Sequence, residues 1–157
     1  MNRSLEPLAL LIKQTQHRQN RMMEAALSPL DVSLVQWNAL REIDRNSGSS
    51  MHRLAELTFN SDQAFGTLTA RLGRLGLIKQ RPGTGRALIT ELTARGKSVF
   101  DQGYPLIIGV CATSLGSLTE AERRLLTSLL TKVLSTESQM PARSKAAARN
   151  PLEAVRG

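Results

Sequence analysis

Residues 50–93, SMHRLAELTFNSDQAFGTLTARLGRLGLIKQRPGTGRALITELT, decide how the chain is read. They hold two short helical patterns, a glycine stop, and two strand-like runs about a turn. In the second helical pattern Asn60 and Ser61 are both able to N-cap, and Phe65, Leu68, Leu72 and Leu75 recur along one stripe expected to be buried. Gln63, Thr67, Ala70 and Arg74 fall on the opposite face, which carries no large apolar residue.

A helix with that outer face can lie in a DNA major groove and offer an amide and a hydroxyl to base edges. An ordinary amphipathic surface helix has the same pattern. Gly66 leans weakly toward the groove, because glycine costs roughly 1 kcal/mol inside a helix and a close sugar-phosphate backbone would account for it.

The following residues favour the groove further. Gly76 is placed to stop the helix. Leu77 to Gln80 alternate, Arg81-Pro-Gly-Thr-Gly reads as a turn, and Ala87 to Leu92 as a second strand. From Arg71 to Arg86 there are five basic residues, Arg71, Arg74, Lys79, Arg81 and Arg86, and no acidic one, a concentrated positive field. Arg86, beyond Gly83 and Gly85, sits where a hairpin tip places a guanidinium in a minor groove.

At this point the sequence resembles the MarR family of winged-helix transcriptional regulators. The resemblance is carried by Val35-Gln-Trp-Asn-Ala-Leu40, by Leu54-Ala-Glu-Leu57, by Thr69 to Ile78, and by Thr84 to Gly96. The last stretch is similar to the family's wing pattern at Arg86, Leu92, Thr93 and Gly96, with Thr84 where the family has an acidic residue. The resemblance runs from about Leu5 to Glu137. It implies a mainly α fold with a two- or three-stranded β-wing, a winged helix-turn-helix flanked by terminal dimerisation helices. It also implies a two-fold dimer and a small-molecule effector, a lipophilic or phenolic acid, between the dimer-forming helices and the winged domain.

Composition agrees with a nucleic-acid partner. A formal charge of +8 and a pI near 10.8 favour a polyanion. With 3% aromatic residues there are too few for single-strand stacking platforms, so duplex DNA fits better. One cysteine excludes an internal disulfide, and two distant histidines give no metal pattern; a reducing cytoplasm is the expected compartment. No cofactor is expected. Neither a phosphate-cradling glycine loop nor a nucleophile–base pairing is visible, which argues against an enzyme. The run Leu8 to Ile12 is too short for a targeting segment, and Gln102 to Thr119, although uncharged, is too polar for a membrane span.

In chain order, residues 1–30 are expected to form an N-terminal dimerisation helix with Leu5, Leu8, Ile12, Thr15, Gln19, Met22 and Ala26 on one side. Residues 31–96 would form the DNA-binding domain, 97–138 C-terminal dimerisation helices, and 139–157 a basic flexible tail with four basic residues against one acidic. Ser33 and Gln36 form a capping box, and Leu34, Val35, Trp37, Ala39, Leu40 and Ile43 spread around the next helix, which should be buried on several sides. Ser50 caps a helix Met51 to Phe59. Thr93 caps a long helix striped by Phe100, Tyr104, Ile107, Ile108, Cys111, Leu115 and Leu118, with Pro105 interrupting its hydrogen bonds. Thr119 and Glu122 box the last helix, with Leu126, Leu129, Leu130 and Val133 inward.

The expected DNA-binding residues are Ser50, Ser61, Gln63, Thr67, Arg71, Arg74, Arg81 and Arg86. Gln63 and Thr67 would meet bases, Arg71 and Arg74 phosphates, and Arg86 the minor groove of a pseudo-palindromic operator. His17, Trp37 and Cys111 are candidate effector contacts, although the ordinary explanation is core packing for Trp37 and Cys111 and a partly exposed helix position for His17. Two other readings use the same basic face: a winged-helix module for an acidic protein partner, and a chromosome-coating protein without sequence preference.

Overall fold

The computed structural model describes residues 5–85 and 88–137. The expectations for Arg86 and for the basic tail therefore lie outside the described residues. The chain divides into two units, residues 1–114 and 115–157.

In the first unit α1 spans Leu5–Leu27 and runs into a single 3-10 turn, Ser28–Leu30. Asp31, left-handed at φ 54, closes that turn by donating its N–H to Ser28 O. Helix α2, Leu34–Arg45, starts on the expected box: Ser33 Oγ accepts from Gln36 N and Gln36 Oε1 accepts from Ser33 N. Glu24 of α1 adds a carboxylate that accepts from Leu34 N at 2.7 Å, a negative charge where the helix dipole favours one.

Helix α3, Met51–Leu57, is capped by Ser50 and is two residues shorter than expected. Helix α4, Asp62–Arg74, is capped by Ser61. Both end in one motif. After α4, Gly76 N–H donates to Gly73 O and Leu77 N–H to Leu72 O; after α3, Phe59 N–H donates to Glu56 O and Asn60 N–H to Ala55 O. The left-handed position belongs to Gly76 in one case (φ 70) and to Phe59 in the other (φ 57). For a side chain with a Cβ that conformation costs about 1–2 kcal/mol.

Strands β1, Ile78–Pro82, and β2, Leu88–Leu92, pair antiparallel with Ile78 opposite Leu92 and Pro82 opposite Leu88. The strand thus continues through Arg81 and Pro82, and the turn begins later than the sequence suggests. Beyond Ile78, β1 is exposed along its length, whereas β2 buries Thr90 against Met51 of α3. Thr93 ties the ribbon to its supports. Its N–H donates to Leu77 O, its hydroxyl donates to Gly76 O at 2.6 Å, and the same oxygen accepts from Gly96 N at the start of α5, Ala94–Leu115.

The core of this unit is built from Leu27, Trp37, Leu40, Ile43, Leu54, Phe65 and Leu72, all fully buried. Trp37 stacks on Phe100 with ring centres 5.6 Å apart and donates to Phe100 O at 3.4 Å, joining α2 to α5. Pro105 lies within α5 without ending it.

Several expected core positions are exposed. Val35 and Leu75 face outward; α4 has already ended at Leu75, and Thr69 joins the buried face by donating its hydroxyl to Phe65 O. Only Gly96, Phe100, Gly103 and Ile107 of α5 are buried, so Tyr104 and Ile108 leave the stripe. On α1, Leu5, Leu8 and Ile12 are exposed.

In the second unit α6, Glu120–Glu137, begins on the Thr119/Glu122 box. Hydrogen bonds from the Thr119 backbone and hydroxyl hold the Glu122 carboxyl below its ordinary value. Leu126, Leu129, Leu130 and Val133, expected inward, are exposed. No helix among the described residues is long and apolar enough to cross a membrane.

Candidate nucleic-acid interface

Helix α4 is held by its inner face and leaves its outer face open. Phe65, Thr69 and Leu72 are buried, while Gln63, Thr67, Ala70 and Arg74 are exposed. The Thr67 hydroxyl donates back to Gln63 O at 3.1 Å, which leaves its lone pairs outward as acceptors. No protein atom lies within 4 Å of a Cβ built on Gly66 or Gly73. Packing among the described residues therefore does not demand glycine at either position.

The helix is oriented from its N-terminus. Ser61 Oγ accepts from Ala64 N, and Asp62 in the first turn is drawn to His52 of α3 at 2.9 Å. Glu56 stands 3.6 Å from the same imidazole. The Asp62 hydrogen bond and charge, with Glu56 behind them, raise the His52 pKa above its ordinary 6.5. Ser50, exposed at the start of α3, accepts from Arg53 N.

The basic residues do not form one uniform field. Arg74 is exposed in the last turn of α4. Arg81 Nε lies 2.6 Å from Glu91 Oε1, and Lys79 Nζ 4.0 Å from the same carboxylate. The strand register brings in this acidic residue, which the count from Arg71 to Arg86 left out.

Arg71 lies on the side of α4 toward α1. With Arg21, Glu24, Ser28, Asp31 and Gln36 it lines an open cavity of about 660 Å³. Sequence reading missed this site, although Pro29 and Asp31 signalled the reversal that folds the end of α1 back beside the start of α2. His17 lines a neighbouring cavity of about 310 Å³ that shares Arg21 and Ala25 with the first. Trp37 is 1% exposed and Cys111 is partly buried against the core; neither lines those two cavities, so the three candidate effector residues are not brought together. No group of His, Cys, Asp and Glu side chains among the described residues could hold a metal ion.

No family model matches the chain. It is 31% identical over 114 residues to the HTH-type transcriptional repressor Rv2887 of Mycobacterium tuberculosis, covering 71% of this chain and 81% of that one. The crystal structure of the MarR family protein Rv2887 in complex with p-aminosalicylic acid is similar with a TM-score of 0.67 and 28% identity, over 81% of this chain and 98% of that chain. A mutant MarR from E. coli complexed with operator DNA is similar with a TM-score of 0.77 and 25% identity, over 83% and 96%. With its recognition-type helix, its two-stranded wing and this likeness in sequence and structure, the chain belongs to the MarR family of winged-helix transcriptional regulators.

Proposed function

We propose that the chain acts as a homodimer that reads a pseudo-palindromic duplex operator, represses from it, and is released by a small anionic effector. The observation that carries this reading is the outer face of α4, where Gln63, Thr67 and Arg74 stand exposed on a helix anchored by Phe65 and Leu72. Gln63 and Thr67 are assigned to base edges. Arg74 and Ser61 are assigned to phosphates, with Arg81 contributing once it leaves Glu91, and Arg86 to the minor groove.

The dimer would be formed by the terminal helices. Leu5, Leu8 and Leu11 on α1 and Leu129, Val133 and Leu134 on α6 are exposed to an extent that a monomer rarely sustains. Two copies of α4 would then meet successive major grooves, with half-sites about one turn, ~10 bp, apart.

The cavity holding Arg21 and Arg71 is assigned to the effector, a small aromatic carboxylate, with His17 at its margin. Arg21 and Arg71 line this space together with Asp31 and with Glu24, whose carboxylate is already held by Leu34 N; guanidiniums suit a carboxylate, and the related Rv2887 has been crystallised with p-aminosalicylic acid. Because Arg71 belongs to α4, a ligand there would bear directly on the helix that reads DNA. Selecting bound sequences from a random duplex pool tests the reading. A palindromic consensus is expected, and recovery of no enriched sequence would overturn it.

A further inference from the structure

We propose that Phe59 contacts the operator, its ring resting on apolar surface at the rim of the major groove; this rests on the DNA-binding reading above. Three observations meet at this residue. Its backbone is left-handed at φ 57, although it is neither glycine nor asparagine. Its side chain is 98% exposed, so the strain is not offset by packing within the chain. It stands in the turn that leads into α4, two residues before Ser61, the cap, and four before Gln63.

The chain provides its own control. The same helix-ending motif after α4 uses Gly76 at the left-handed position. Replacing Phe59 by glycine would therefore relax the turn without altering its hydrogen bonds. The chain has few aromatic residues, and Trp37, Phe65 and Phe100 are buried while Tyr104 packs edge-on against Phe100. Phe59 alone among the aromatic residues meets solvent almost completely, on a turn fixed by Asn60, whose side-chain amide donates to the Thr58 carbonyl and hydroxyl. A hydrogen-bonded turn presenting one large ring just ahead of Ser61 and Gln63 is suited to the apolar parts of duplex DNA, thymine methyls or deoxyribose edges. Strain held at an exposed position of this kind points to a contact made outside the chain.

The test uses full-length protein and the operator obtained by selection. Phe59→Gly is expected to raise Tm by a few degrees and to weaken operator binding about tenfold, while Phe59→Leu retains most of the affinity and gains no Tm. Deoxyuridine in place of the outer thymines separates the two sources of apolar contact. Loss of affinity in the unmodified protein but not in Phe59→Gly assigns the methyl groups, and equal binding of both DNAs assigns the sugars. A Phe59→Gly protein with unchanged operator affinity overturns the inference, as does a fall in its Tm, which would make Phe59 a packing residue. If the unmodified protein binds no duplex at all, the DNA-binding reading fails first and takes this inference with it.

Discussion

The imidazole of His52 on α3 stands 2.9 Å from the carboxylate of Asp62 in the first turn of α4. This ion pair links the two helices of the helix-turn-helix at the end where α4 begins. The Asp62 hydrogen bond and charge raise the His52 pKa above 6.5. A folded-state value above the unfolded one means that the pair's contribution is complete below about pH 6.5 and is lost as pH rises through the raised value. An NMR titration of His52 is expected to show a midpoint above 6.5 that falls in Asp62→Asn. A midpoint unmoved by that substitution would disconnect the two groups.

Gln63 and Arg74 should fail in different ways. Gln63→Ala is expected to cost ~1–3 kcal/mol at one operator position and relax the preference there. Arg74→Ala should weaken binding on all sequences and lower the salt slope by about one. Affinity measured on the operator and on single-base variants at several salt concentrations checks both. Equal loss on every sequence after Gln63→Ala would remove its assignment to a base.

Gly96 is required by a close approach of backbones, since a Cβ there would overlap the carbonyl oxygen of Leu77. The oxygen cannot yield without breaking its hydrogen bond from Thr93 N. Gly96→Ala should destabilise by about 3 kcal/mol or more, at the upper end for overpacked sites. Gly103→Ala meets the Trp37 indole and Leu27 instead; side chains can shift, and about 1–3 kcal/mol is expected. Chemical denaturation of the two variants gives the ordering, and a milder effect at Gly96 would contradict it.

Association through the terminal helices can be tested without touching the reading helix. Leu8→Glu on α1 and Leu129→Glu on α6 place charge on exposed apolar surface. In a monomer both would be nearly neutral. In the proposed dimer they should convert the protein to monomer at micromolar concentration and weaken operator binding at least tenfold, as sedimentation velocity and binding curves would report.

Local chemistry was legible in the sequence. The serine caps at Ser33, Ser50 and Ser61, the Gly76 stop and the polar face of α4 follow from spacing and from residue types whose hydrogen bonds close within one turn. The same information fails where the outcome depends on what lies opposite. Glu91 enters the wing's charge balance because strand register puts it across from Lys79. Leu75 and Tyr104 are apolar positions on a helical stripe, yet the fold leaves both exposed, Tyr104 with only the edge contact to Phe100. Phe59 looks like the last apolar residue of a helix until the chain turns left-handed beneath it.

The sequence by itself determined the succession of helices and strands, the basic character of the chain and which face of α4 would be polar, because each depends on residues a few positions apart. Only the tertiary structure decided that Arg21 and Arg71, fifty residues apart, line one cavity, and that Arg81 is engaged by Glu91. Those relationships come from the reversal at Asp31 and from the pairing of β1 with β2, where packing brings together groups whose separation along the chain carries no signal.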